Sequence, residues 1–324
     1  MKSFKHPLGE SAASELRHAI ERVYPGHIVA LVGLGGVGKS TVVGRVCSDL
    51  YGSSSMWPDN VTPVARVMAM LPDKAYFNSL GFVISIRREI SFPNISWLQF
   101  GPSESAWAAR KIAEVLSASL ILAAGRNNTE AGEWACAADL ARLCRTEVLV
   151  VEHANALLRN HRDKKPAQHL QNLMSWGERT GTKIVLLGVE TLPDLWNSSV
   201  ELSRRMTKIW LPPYGAGSDE ELRVFCSVFA QMLEGYESDR AQVLRKIRMI
   251  HDSTGGIIGQ CRRLLEDASK HGTQRITVES LRGGIQHPDS IAQIWESVSR
   301  FQRISAPAAE NELMRAKARG LALG

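Results

Sequence analysis

Apolar residues along this chain follow two rhythms. Up to about residue 213, short, largely apolar runs alternate with stretches of helical period; beyond it only the helical period continues. The runs are 28–32, 64–71, 148–151, 183–187 and 209–211. Runs of this length, bounded by turn residues, predict buried strands of a parallel sheet. Between them helices are expected over 9–24, where Leu16, Ile20 and Val23 share a face, over 40–50, and over the Ala-rich 104–124. Thr129 is placed to cap a helix reaching about Leu143, another spans 166–180, and two short ones lead to Met206. The segments 82–86 and 89–92 read as strands around Arg87 and Arg88, a hairpin beside the main sheet.

After the prolines Pro212 and Pro213, helices are expected over 218–234, 238–252, 256–271 and 277–285. A further amphipathic helix carries Ile291, Ile294, Trp295, Val298 and Phe301, followed by an Ala-rich basic end. The change of rhythm predicts an N-terminal arm and helix (1–26), an α/β domain (27–213), a small helical lid (214–286) and a C-terminal helix and tail (287–324).

The first apolar run leads into Gly33-Leu34-Gly35-Gly36-Val37-Gly38-Lys39-Ser40, with Thr41 next. This is the G-x-x-x-x-G-K-[ST] pattern in its required strand–loop–helix setting. Glycines let the backbone wrap closely and aim N–H groups at phosphates, and the following helix start adds partial positive charge. Lys39 is expected to reach the β- and γ-phosphates of ATP, and Ser40 to hold Mg²⁺. The leading segment 4–8 is expected either to cover the adenine or to be an ordinary arm.

Such a site needs an acid at the end of a second buried strand, normally Asp followed by Glu. Here 148–151 end in Glu152 and His153. Glu152 is long enough to reach Mg²⁺ through water, while His153 stands where the catalytic carboxylate belongs. An imidazole is a poor base beside phosphates, which favour its protonated form. ATP is therefore expected to bind firmly and turn over slowly or not at all, unless Glu152 serves as base in a shifted register. Arg204 and Arg205 are candidates for a finger reaching a neighbouring subunit's γ-phosphate. The run Thr254-Gly255-Gly256-Ile257-Ile258-Gly259 opens a helix carrying Arg262 and Arg263, either of which suits a lid arginine. Arg159, Arg162, Lys164 and Lys165 crowd one loop, a candidate DNA-backbone contact with Arg87 and Arg88 as second candidates.

Composition changes little. A net charge of +6 permits nucleic acid without demanding it. The five cysteines form no C-x-x-C pair and no metal spacing, as expected in a reducing cytoplasm. No run approaches a membrane span and no signal-peptide core is evident, so an intracellular protein without membrane association is expected.

Four blocks in order, 33–40, 148–157, 184–206 and 253–268, resemble the AAA+ regulators of DNA transposition of the TnsC/TniB type. The likeness rests on Glu152-His153-Ala154-Asn155-Ala156-Leu157, on the run 181–188, and on Glu201-Leu202-Ser203-Arg204-Arg205-Met206 leading to Leu211-Pro212-Pro213. The resemblance implies an AAA+ P-loop NTPase with a parallel sheet flanked by helices and a helical lid. It implies ATP binding, a homo-oligomeric ring or filament on double-stranded DNA in a bacterial cytoplasm, and partners among transposase and target-selection proteins. It makes Arg205 the finger and Arg262 or Arg263 the lid sensor, and sets apolar Val189 where a polar sensor is expected. The tail from His287 is a candidate recruiting segment. A signalling NTPase of the STAND type and a helicase-loader-like AAA+ protein remain the alternatives, the former short of room for its usual appended repeats.

Overall fold

A computed structural model of the chain describes residues 6–58, 61–69, 77–91, 129–159, 166–197, 200–270 and 275–321. The expected helix over 104–124 lies outside these residues. By contacts the chain gathers into two units: 13–32 with 40–209, and 1–12 with 33–39 and 210–324.

Helix α1 (Pro7–Arg22) precedes strand β1 (Ile28–Gly33), and α2 (Lys39–Tyr51) follows the glycine-rich loop. The other strands are β2 (Val64–Met68), β3 (Val148–Glu152), β4 (Lys183–Gly188) and β5 (Met206–Leu211). They form one five-stranded parallel sheet in the order β2-β3-β4-β1-β5, with Val29 opposite Val185, Leu149 opposite Ile184 and Val67 opposite Val151. Ile28 to Val32 and Val148 to Val151 are fully buried. That explains why these strands read as unbroken apolar runs and not as alternating ones: both faces are covered. β1 is interior, and its carboxyl end is where sheets of this kind bind ligands.

The hairpin expected around Arg87 and Arg88 is not formed. Helix α3 (Ser79–Ser91) takes its place. Phe82, Val83, Ile86 and Ile90 are its buried residues, at spacings of one, four and eight. Neighbours 82 and 83 cannot both face one side of a strand, whereas a helix turns them into one stripe. Its β-branched composition favoured strand; packing overrode it. Helix α4 (Glu130–Leu143) packs on α3 and starts as expected, with Thr129 Oγ1 accepting from Gly132 N at 3.2 Å.

Helices α5 (Pro166–Thr180), α6 (Asp194–Asn197) and α7 (Val200–Arg204) complete the α/β part. The helical part comprises α8 (Asp219–Leu233), α9 (Arg240–Leu244), α10 (Ile247–Thr254), α11 (Ile258–Lys270), α12 (Val278–Gly284) and α13 (Pro288–Leu321). Here the continuous helix expected over 238–252 is broken at Arg245 and Lys246. Val243 and Ile250 stay buried on the two pieces, so the apolar spacing gave no sign of the break. Phe225, Phe229, Leu233, Ile250, Leu265 and Leu281 belong to this part's core. A capping box starts α8: Glu221 N donates to Ser218 Oγ at 3.2 Å and Ser218 N to Glu221 Oε2 at 3.2 Å. Among the described residues no helix is long and apolar enough to cross a membrane. The five cysteines form no disulfide, and four of them are buried.

Val83 separates helix from hairpin experimentally. Val83→Ala should cost about 1.5–3 kcal/mol in urea unfolding, because the side chain is fully buried. A change within about 0.5 kcal/mol, as for a surface position, would put residue 83 on a solvent-facing strand edge.

Candidate nucleotide site

The loop after β1 is pinned by its two apolar residues. Leu34 and Val37 are buried, while Gly35 and Gly36 are exposed. A turn bond from Val37 N to Leu34 O at 3.4 Å bends the chain between them. Gly36 (φ 84°) and Gly38 (φ 101°) adopt left-handed backbone that other residues take at a cost, which is why the spacing of glycines is informative here. Lys39 Nζ donates to the carbonyls of Gly33 and Leu34 at 2.8 Å each, closing the loop on itself. A glycine-rich turn leading into a helix start is backbone that suits an anion, through N–H groups and the positive end of the helix dipole.

Two contacts brace this loop. Gly259, at the start of α11, donates its N–H to Gly36 O at 2.9 Å. A Cβ on Gly259 would stand 2.9 Å from Gly36 Cα, so the approach requires glycine. His6, buried, pairs its Nδ1 with Tyr214 Oη at 2.8 Å and accepts from Gly9 N at 3.1 Å. Its Nε2 would lie 3.7 Å from a Cβ on Gly38, so the leading segment does border the loop. Burial pushes the Tyr214 hydroxyl up to about 12, so it stays a neutral partner for the imidazole.

The acid is where the second run ends. Glu152 closes β3, and Ser40 Oγ donates to its Oε2 at 2.8 Å. The other carboxylate oxygen, Oε1, accepts from Nε of Arg66, a residue of β2. Arg66 carried no signal in the sequence: a lone arginine in a strand reads as a solvated edge residue. Only the sheet order, which sets β2 beside β3, reveals it. His153 is exposed and left-handed, with φ 52° and ψ 37°, and caps the short 3₁₀ turn Ala154–Leu158 without a side-chain bond to it.

The remaining candidates stand as follows. Arg205 is ion-paired with Glu178 of α5, and its carbonyl accepts from Ile28 N at 3.1 Å. Arg204 is exposed. Arg262 and Arg263 are exposed on α11, paired with Glu266 at 3.2 Å and Asp267 at 3.7 Å. Thr41 is exposed at the start of α2. Arg87 pairs with Glu133 at 3.3 Å across α3 and α4, and Arg88 is exposed. Arg159 is exposed; Arg162, Lys164 and Lys165 lie outside the described residues. Val189 follows β4 and its carbonyl accepts from Leu192 N at 2.9 Å.

Against solved structures, the chain is similar to the Walker-type ATPase PABY2304 of Pyrococcus abyssi, with a TM-score of 0.50 and 14% identity over 96% of this chain and 75% of that one. The likeness is one of fold: a P-loop α/β sheet followed by helices. Lesser likenesses are to Cdc6p of Pyrobaculum aerophilum (TM-score 0.49, 15% identity, 86% of this chain and 67% of that one) and the RuvB Holliday junction branch migration motor of Thermotoga maritima (TM-score 0.43, 15% identity, 86% and 67%). No protein-family model matches the chain, and no curated protein matches it in sequence.

The residues fit what a phosphate-binding loop implies. The loop offers backbone amides and an ammonium, the donor set a triphosphate needs. Ser40 and Glu152 offer a hydroxyl and a carboxylate oxygen, hard ligands of the kind Mg²⁺ takes together with phosphates and water. The departure is in charge, since Glu152 already faces the guanidinium of Arg66.

The backbone at His153 gives a direct check on this site. His153→Gly should raise stability by about 1 kcal/mol, the left-handed penalty of a residue with a Cβ, read by urea unfolding. No gain, or a loss, would show that the turn after β3 is built differently in solution.

Proposed function

We propose that this chain is an ATP-binding AAA+ regulator of DNA transposition that turns ATP over slowly or not at all. One observation carries the nucleotide half: a phosphate loop with Lys39 at a helix start, and a second strand ending in Glu152 followed by His153 instead of a carboxylate. Loop amides and Lys39 bind the phosphates. Mg²⁺, when bound by Ser40 and Glu152, supplies positive charge against the phosphate oxygens. His153 offers no carboxylate to take the proton of an attacking water.

The likeness of four sequence blocks to transposition regulators supports the rest. In this reading 27–213 hold the nucleotide, 214–286 form a lid, and 1–26 and 287–324 flank them. Arg205 reaches a neighbouring copy's γ-phosphate after leaving Glu178, with Arg204 as its understudy, and Arg262 or Arg263 senses the nucleotide from the lid. ATP thus bridges copies into a homo-oligomer on double-stranded DNA, with transposase and target-selection proteins as partners. The loop bearing Arg159, Arg162, Lys164 and Lys165, with Arg87 and Arg88, meets the DNA backbone. A net charge of +6 suits that partner.

Imaging with a non-hydrolysable ATP analogue and duplex DNA tests this reading. Rings or filaments on DNA are expected, and Lys39→Ala should lose both nucleotide uptake and assembly; unchanged assembly in that variant would remove the mechanism. Phosphate release should stay below about 1 s⁻¹, the low end of ordinary enzyme turnover. His153→Glu should raise it at least tenfold, the lower part of the range for a positioned base being about a hundredfold. Wild-type turnover well above that rate would contradict the assignment of His153.

A further inference from the structure

Arg66 brings the only polar side chain of β2 to the acid at the end of β3. Its Nε donates to Glu152 Oε1, and its Nη2 donates to the main-chain carbonyl of Ser40 at 3.3 Å. Its Nη1 stands 3.6 Å from where a Cβ on Gly44 would lie, so the guanidinium rests against the first turns of α2. With Ser40 Oγ on Oε2 at 2.8 Å, each oxygen of Glu152 has its own donor. The Glu152 side chain is 20% exposed, and that of Arg66, at 39%, is open to solvent.

We propose that Arg66 is a built-in counter-charge that takes the share of Glu152 a divalent cation would otherwise hold, making ATP uptake by this chain nearly independent of Mg²⁺. The proposal rests on the reading of Gly33–Ser40 as an ATP site. A carboxylate attracts Mg²⁺ through its negative charge and its vacant lone pairs, and the guanidinium diminishes both. Arginine carries a lasting positive charge in proteins, so the guanidinium is a standing competitor for the carboxylate. A unit charge about 5 Å from a divalent ion weakens its binding roughly tenfold even at the dielectric of bulk water.

A bracing role alone predicts something else. If Arg66 only ties β2 to α2, its loss weakens ATP binding equally with and without metal. The ratio of the two affinities therefore separates charge competition from bracing.

Titration calorimetry of the full chain with ATP, in excess EDTA and in saturating MgCl₂, gives that ratio. The wild type should bind ATP with affinities within about threefold of each other, and Arg66→Met should bind at least tenfold more tightly with Mg²⁺ than without, following the charge argument above. Arg66→Lys, which keeps the charge, should stay closer to the wild type than to Arg66→Met. Mn²⁺ in place of Mg²⁺ offers a direct readout: the spectrum of the free ion should disappear at lower concentrations in Arg66→Met with ATP than in the wild type. A wild type whose ATP affinity rises tenfold or more on adding Mg²⁺ overturns the proposal, and needs no variant to do so. So does an Arg66→Met ratio equal to the wild-type one. No ATP uptake in either buffer overturns the nucleotide reading itself, and this proposal with it.

Discussion

A lysine ammonium clasped by two carbonyls of its own loop is the interaction on which the rest of this structure depends. Lys39 reaches back to Gly33 and Leu34 and holds the chain in a closed turn. Leu34 and Val37 are buried, and the glycines between them are exposed. The arrangement concentrates one full positive charge and several N–H dipoles at the carboxyl end of an interior strand. Carbonyl dipoles hold an ammonium less strongly than an anion does, so the clasp is one that a phosphate can replace. Gly259 and His6 brace the same loop from the start of α11 and from the leading segment.

The second constraint is a balance of charge at the end of β3. An ATP site ordinarily sets two carboxylates there, one for the metal and one for the water. This chain keeps one, Glu152, and pairs it with Arg66. The other position is an imidazole in left-handed backbone. Both changes move the site in one direction, away from negative charge. That direction favours holding a triphosphate over splitting it, because hydrolysis needs a base and holding needs only positive charge.

Much of this was legible in the sequence because the residues concerned have few alternatives. A loop that needs positive φ at Gly36 and Gly38 announces itself by glycine, and buried parallel strands announce themselves by unbroken Val, Ile and Leu. Thr129 and Ser218 mark helix starts by the same local logic, a side-chain oxygen within reach of an unpaired amide. What stayed hidden depends on neighbours distant in the chain. Arg66 and Glu152 are 86 residues apart and meet through strand order. Arg205 and Glu178, 27 residues apart, likewise pair in a way no local pattern announces. The stretches 82–86 and 89–92 read as strands because a short β-branched run satisfies strand propensity and helical spacing at once, and packing of the helix on α4 and β2 decides between them.

Hydrogen–deuterium exchange over residues 28–45, with and without ATP, tests most directly whether this loop grips a triphosphate. The account predicts that amides of the segment Gly35 to Ser40 exchange markedly more slowly when ATP is present, since phosphate oxygens then accept from N–H groups of this loop. Identical exchange with and without ATP at saturating concentration, across the whole segment, would contradict it.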